Sequence, residues 1–183
     1  MDPAGVSFVI DQTASTARFE IDEELQGNPN HVVGTTNEVV GQVRVDPEDL
    51  STVQISDIIM RERSPPARAV VTGRCAGPVI LDSGSDTDEL ITFAVSSVDG
   101  LSGTAEIGAS FEFSLSGDLT IKGHTQPVTF DVAVTRVDET TIEGTVTAEV
   151  TRDMFEIGIP NVPGVAEVTN EVLIGLEFVA ITS

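Results

Sequence analysis

Phe111-Glu-Phe-Ser-Leu-Ser-Gly-Asp-Leu-Thr-Ile-Lys-Gly-His-Thr-Gln-Pro-Val-Thr-Phe-Asp-Val-Ala-Val134 decides the fold. Phe111, Phe113, Leu115, Leu119 and Ile121 alternate with Glu112, Ser114, Asp118 and Thr120. Beyond Lys122-Gly123-His124, the apolar set Val128, Phe130, Val132 and Val134 alternates with Thr129, Asp131 and Ala133. A period of two gives each strand one buried and one wet face. Gly123 supplies the positive φ that a tight hairpin turn needs. The stretch therefore reads as two long antiparallel strands.

The same pattern spreads outward. Strands are expected near Val6–Ile10, Thr16–Glu24, Glu38–Val45, Val53–Ile58, Glu89–Val98, Ser110–Ile121, Thr125–Val137, Thr140–Thr151 and Asn170–Ile181. Asp11-Gln-Thr-Ala14, Asp46-Pro-Glu-Asp49 and Val137-Asp-Glu-Thr140 read as turns, since Asp, Pro and Thr favour them. One helical excursion is expected at Ser64–Leu81, where Ser64 can cap and Pro65 takes the first helical position. Gly73, Gly77 and Pro78 then break it. A second short turn is expected at Thr151–Phe155. The 183 residues suit a single domain, 1–183. Short connections between long strands imply a sandwich or a closed barrel, and periodicity alone does not choose between them.

Composition excludes several function classes. Thirty acids against nine Lys and Arg give a net charge of −21. Nucleic acid is excluded as a partner, because phosphate binding needs clustered cations. The acids on the wet faces of strands keep such a protein soluble. Cys75 is the single cysteine, so no disulfide forms within the chain. No run of eighteen apolar residues occurs that would span a bilayer as a helix. His31 and His124 fall in expected turns, lack metal-ligand spacing and read as surface residues. Asp82-Ser-Gly-Ser-Asp-Thr-Asp-Glu89 has four carboxylates for a cation but not the calcium-loop order, so it reads as a solvated loop. No catalytic constellation, metal site or cofactor motif is written in the chain. An enzyme is not expected.

Alternation nominates an inward set in which polar atoms are almost absent. It comprises Ala17, Phe19 and Ile21; Gly41, Val43 and Val45; Ile91, Phe93 and Val95. Phe111, Phe113, Leu115, Phe130, Val132, Val134, Val172, Ile174, Leu176 and Phe178 complete it. These residues either fill a core or line a slim cavity, and the residues alone leave both open.

The wording of the strands resembles the YceI family of polyisoprenoid-binding, lipocalin-like barrel proteins. Gly117-Asp-Leu-Thr-Ile-Lys-Gly-His-Thr-Gln-Pro-Val128 is similar to that family's central hairpin. Phe8–Phe19, Val33–Val43, Glu89–Phe93, Arg152–Ile159 and Glu171–Phe178 resemble its other segments in order. Between Ile59 and Ser83 the chain departs from the family, keeping only Arg61, Arg63, Arg68 and Ile80-Leu-Asp-Ser83 of the usual pattern.

The resemblance implies an all-β fold: one antiparallel, eight-stranded lipocalin-like barrel. It implies carriage or sequestration of a long apolar isoprenoid, a polyprenyl chain or an isoprenoid quinone. The expected lining is Phe19, Ile21, Val43, Ile91, Phe93, Phe111, Phe113, Leu115, Phe130, Val132, Ile174 and Phe178. Arg61, Arg63, Arg68 and Arg152 are the expected mouth cations, because Arg recognises carbonyl and phosphate oxygens. The expected setting is extracytoplasmic, periplasmic or on a membrane anchor, with the cytoplasm as the alternative. A homodimer is compatible with this reading. The rival reading is a packed acidic barrel that serves as an extracytoplasmic interaction module without a ligand.

Overall fold

A computed structural model of the chain describes residues 5–61, 90–158 and 165–183. The described residues are almost wholly β. Its strands are β1 (Val6–Ile10), β2 (Thr16–Leu25), β3 (Asn28–Thr36), β4 (Val39–Val40), β5 (Gln42–Asp46), β6 (Asp49–Ile55) and β7 (Ile58–Arg61). They continue as β8 (Leu90–Asp99), β9 (Ser110–Ile121), β10 (His124–Arg136), β11 (Thr141–Thr151), β12 (Val165–Ala166) and β13 (Glu171–Thr182). Among the described residues one 3-10 turn spans Arg152–Phe155. The expected excursion at Ser64–Leu81 lies outside the described residues, as do Cys75 and the acidic run after Asp82.

All pairings are antiparallel and belong to one sheet of 13 strands among the described residues, against the eight expected. The path runs β4-β7-β8-β9-β10-β11-β13-β1-β5-β6. β4 and β5 are separated only by Gly41, yet β4 pairs with β7 and β5 pairs with β1. That short segment therefore joins the two ends of the path, and the sheet curls into a barrel-like body. β13 is shared along one edge: Ala180 to Thr182 pair with β1, and Leu173 to Glu177 pair with β2.

The decisive stretch forms the hairpin expected of it. β9 and β10 pair from Ser110↔Thr135 to Ile121↔His124. Lys122 and Gly123 make the turn with φ of 50° and 79°. Positive φ at both central residues matches the twist of the flanking strands. The other turns are held by their own side chains. Asp11 accepts from the Thr13 backbone and hydroxyl, Asp46 from the Glu48 backbone, and Asp138 from Thr140. These donors hold the Asp11 and Asp138 carboxyls below the usual carboxylate range.

Several expectations change, among them the strand expected at Glu38–Val45, which is two, β4 and β5, parted at Gly41. Asn28–Thr36 forms β3, an unexpected strand that includes His31, expected in a turn. Among the described residues β3 pairs with β2 alone, and such an edge strand tolerates a proline that withholds a ladder donor. His31 accordingly lies in a strand, and His124 opens one. The single strand expected at Val53–Ile58 is two, broken at Ser56-Asp57. In β8 a bulge between Val95 and Ser97 inserts Ser96, so Val98 rather than Ser97 faces Leu115 across the pair.

The largest core cluster gathers residues from β2, β4, β7 to β11 and β13 and from the 3-10 turn. Phe93 and Phe130 meet edge to face at its centre, 4.8 Å apart and at 71°.

Candidate functional site

The strands give the barrel two unlike ends. At the lower end lie the β9–β10 turn, Arg61, and the 3-10 turn. Phe155 is 1% exposed there and belongs to the core cluster, with Met154 and Ile157 packed against it. Arg152 is 9% exposed and donates from Nε to the Thr169 carbonyl (2.7 Å), from Nη2 to Val168 (3.1 Å) and from Nη1 to Ile157 (3.3 Å). Its guanidinium is committed to closing this end. Glu23 is also buried here and accepts from Asn30 Nδ2 at 2.8 Å, so the inward face is less purely apolar than alternation suggests.

At the upper end lie the starts of β9 and β11, the ends of β10 and β13, the β5–β6 turn, and loop 100–109. Here the barrel holds a cavity of about 110 Å³. Leu115, Val132 and Leu176 form its buried floor. Phe111, Phe113 and Phe178 wall it on one side; Phe8, Val43, Val45 and Ile55 line the other. Leu101 and Ala105 cover it from the loop, beside Pro47 of the β5–β6 turn and Leu50 at the start of β6. Backbone hydrogen bonds tie the two coverings: Leu50 N–H to the Gly103 carbonyl at 2.9 Å and Ala105 N–H to the Pro47 carbonyl at 2.8 Å.

Half of the expected lining meets in this space: Val43, Phe111, Phe113, Leu115, Val132 and Phe178. Phe178 can lie flat against the wall because its cross-strand partner is Gly144, where a Cβ would come within 3.1 Å of the ring. The other six lie elsewhere. Phe93 and Phe130 are spent on each other in the core below the floor, with the Phe93 ring seated over Gly117. Phe19 covers Gly34 so closely that a Cβ there would overlap its ring. Ile21 is fully buried, and Ile91 and Ile174 pack against the core cluster. Three of the six expected phenylalanines thus lie outside the cavity, because ring-on-glycine and ring-on-ring packing uses Phe19, Phe93 and Phe130.

The expected mouth cations are not among the described residues that line this cavity. Arg61 and Arg152 stand at the end opposite the cavity, and Arg63 and Arg68 lie outside the described residues. Among the described residues lining the cavity, Arg136 is the only charged one. It is half-buried and donates from Nη1 to the Ala105 carbonyl and from Nε to the Asp138 carbonyl. Sequence held the signal for it: position 136 continues the inward parity of Phe130, Val132 and Val134. The segments that frame this end carry Asp46, Glu48, Asp49, Asp99, Glu106, Asp138 and Glu139 against Arg44 and Arg136. The open end of an apolar cavity is therefore strongly anionic with one inward cation.

On the outer face of β2 and β3, His31 meets Asp22 at 2.6 Å and Glu20 at 3.2 Å. The hydrogen bond that the imidazole donates to Asp22 above all, with Glu20 beside it, raises the imidazole pKa above its ordinary value. Among the described residues no group of three His, Cys, Asp or Glu side chains is placed to hold a metal ion. No helix among them is long and apolar enough to cross a membrane.

Comparison with known proteins agrees with this geometry. The model of the YceI-like domain matches residues 8–180. Among solved structures, Burkholderia cenocepacia BcnA is 21% identical with a TM-score of 0.60, over 93% of this chain and 98% of that one. A polyisoprenoid binding domain from Saccharophagus degradans, implicated in plant cell wall breakdown, is 11% identical with a TM-score of 0.63. That match covers 97% of this chain and 99% of the other. Curated proteins gave no match.

Proposed function

The chain belongs to the YceI-like domain family, and from that premise we propose that it binds the apolar chain of an isoprenoid lipid at its upper end, without catalysing a reaction on it. The observation that carries this reading is the apolar cavity floored by Leu115, Val132 and Leu176 and walled by Phe111, Phe113 and Phe178. A structural relative whose described role is polyisoprenoid binding supports the choice of ligand class.

Magnitudes shape the proposal further. An apolar cavity of about 150 Å³ takes a benzene molecule, so about 110 Å³ takes about one five-carbon isoprene unit. Burying five carbons yields about 4 kcal/mol, at the bottom of the cost of association. Firm binding therefore requires further units. They are accommodated where the lining is only partly buried, at Phe111, Phe113, Leu101 and Ala105. The bound state is accordingly wider than the empty one, and the loop 100–109 is the element that yields. Carriage and sequestration use the same site. An extracytoplasmic setting belongs to the same proposal, and fractionation of the native cells tests it.

The test of binding is a titration of the lipid-free protein with a prenylated quinone, beside a Val134→Trp variant. Val134 faces the cavity and is partly buried, so the indole fills it. Saturable binding by the wild type and its loss in a folded Val134→Trp variant are expected. Equal binding by both, or by neither, contradicts the proposal.

A further inference from the structure

We propose that Arg136 is the head-group residue of this site and that it selects a neutral, hydrogen-bond-accepting head, such as a carbonyl, over a phosphate. This rests on the binding proposal above and specifies its ligand. A lipid enters an apolar pocket tail first, because leading with the polar head would strip its water for no partner. The head then stops at the partly exposed upper end, where Arg136 is the one inward cation among the described lining residues.

Arg136 is prepared for this role. A guanidinium carries five N–H donors, and the two bonds to the Ala105 and Asp138 carbonyls use Nη1 and Nε. Those bonds fix the plane of the group and leave donors on Nη1 and Nη2 for a ligand oxygen. The backbone of the same residue is anchored on both sides, by Gly108 N–H to its carbonyl (2.7 Å) and by its N–H to the Ala109 carbonyl (3.0 Å). The loop over the cavity is thus registered directly on the residue that would read the head group.

Charge decides which head. The segments around the opening carry seven carboxylates and two guanidiniums. A phosphate would meet Arg136 inside a field of net opposite preference, whereas a carbonyl oxygen gains the hydrogen bond without that repulsion. The repulsion is between exposed charges, so salt screens it.

The experiment compares three probes with one prenyl chain length, ending in a quinone, a phosphate or a hydrocarbon. They are titrated into wild type, Arg136→Met and Arg136→Lys. In the wild type at low salt, the quinone is expected to bind about tenfold more tightly than the hydrocarbon, which is about 1.4 kcal/mol. The phosphate is expected to bind more weakly than the quinone, with the gap narrowing as salt is added. Arg136→Met is expected to bring the quinone down to the hydrocarbon, and Arg136→Lys to keep part of the difference. Loosening of the loop by the substitution would weaken all three probes alike, so the ratio between probes is the readout. A phosphate that binds as tightly as the quinone at low salt overturns the proposal, as does an unchanged ratio in Arg136→Met. Failure of all three probes to bind the wild type overturns the binding proposal itself, and hydrocarbon binding without a quinone advantage overturns only this one.

Discussion

Two phenylalanines of the same sequence pattern should respond very differently to truncation. Phe130 is 5% exposed and stacks edge to face on Phe93 in the filled part of the barrel. Phe130→Ala loses the transfer energy of the ring and leaves a void, together about 3–5 kcal/mol, and the lost ring pair puts it in the upper part of that range. Phe113 is only partly buried and already borders the cavity. Phe113→Ala enlarges a space that exists, so only the transfer term is lost, about 1.5–2 kcal/mol for incomplete burial. For a domain of this size each kcal/mol moves Tm by about 2–4 °C, so the two variants should melt clearly apart. Urea unfolding of lipid-free protein measures the difference directly, provided the slope against denaturant is unchanged. Losses equal to within about 0.5 kcal/mol, below the scatter such comparisons carry, would refute the division of the interior into filled core and cavity.

Other expectations follow from the same geometry. Arg152→Met leaves the Thr169, Val168 and Ile157 carbonyls unpaired at a buried site, and thermal denaturation should show a loss of about 3 kcal/mol or more; a loss below about 1 kcal/mol would show that water replaces the guanidinium. His31 has a raised folded pKa, so its stabilising pairing with Asp22 and Glu20 is fully present below the ordinary value of 6.5 and fades as pH rises through the raised one. His31→Gln should therefore lower Tm in mildly acidic buffer and leave it unchanged in alkaline buffer, and the reverse order would contradict the assignment. With a net charge of −21, Tm should rise as salt shortens the screening length from about 30 Å at 0.01 M to about 10 Å at 0.1 M. A flat or falling Tm would show that the acids are spaced widely enough to avoid strain.

Much of the barrel was legible because alternation survives wherever one face is buried. The β9–β10 hairpin, β11 and β13 follow their apolar parity with ends shifted by a residue at most. β3 was hidden because its polar, proline-bearing sequence is that of an edge, where packing does not write a pattern. The bulge at Ser96 was hidden because a one-residue insertion flips parity without changing composition. The site was half legible for a related reason. Parity tells which face a side chain takes, but not whether another ring already fills the space. Phe93 and Phe113 share one pattern, yet Gly117 and Phe130 draw Phe93 into packing. Rarity of cations pointed to Arg61 and Arg152, whereas the position of Arg136 at the cavity end depends on topology. A buried arginine that satisfies three carbonyls has no separate signature in sequence.

The central claim is that cells load this protein with an apolar isoprenoid through the upper-end cavity. The direct measurement is organic-solvent extraction of the protein purified from its native cells, followed by mass spectrometry of the extract, for wild type and Val134→Trp. The account predicts an isoprenoid lipid in near-equimolar amount from the wild type and its absence from the folded variant. An extract empty of lipid from both proteins, or the same lipid in the same amount from the plugged variant, would contradict it.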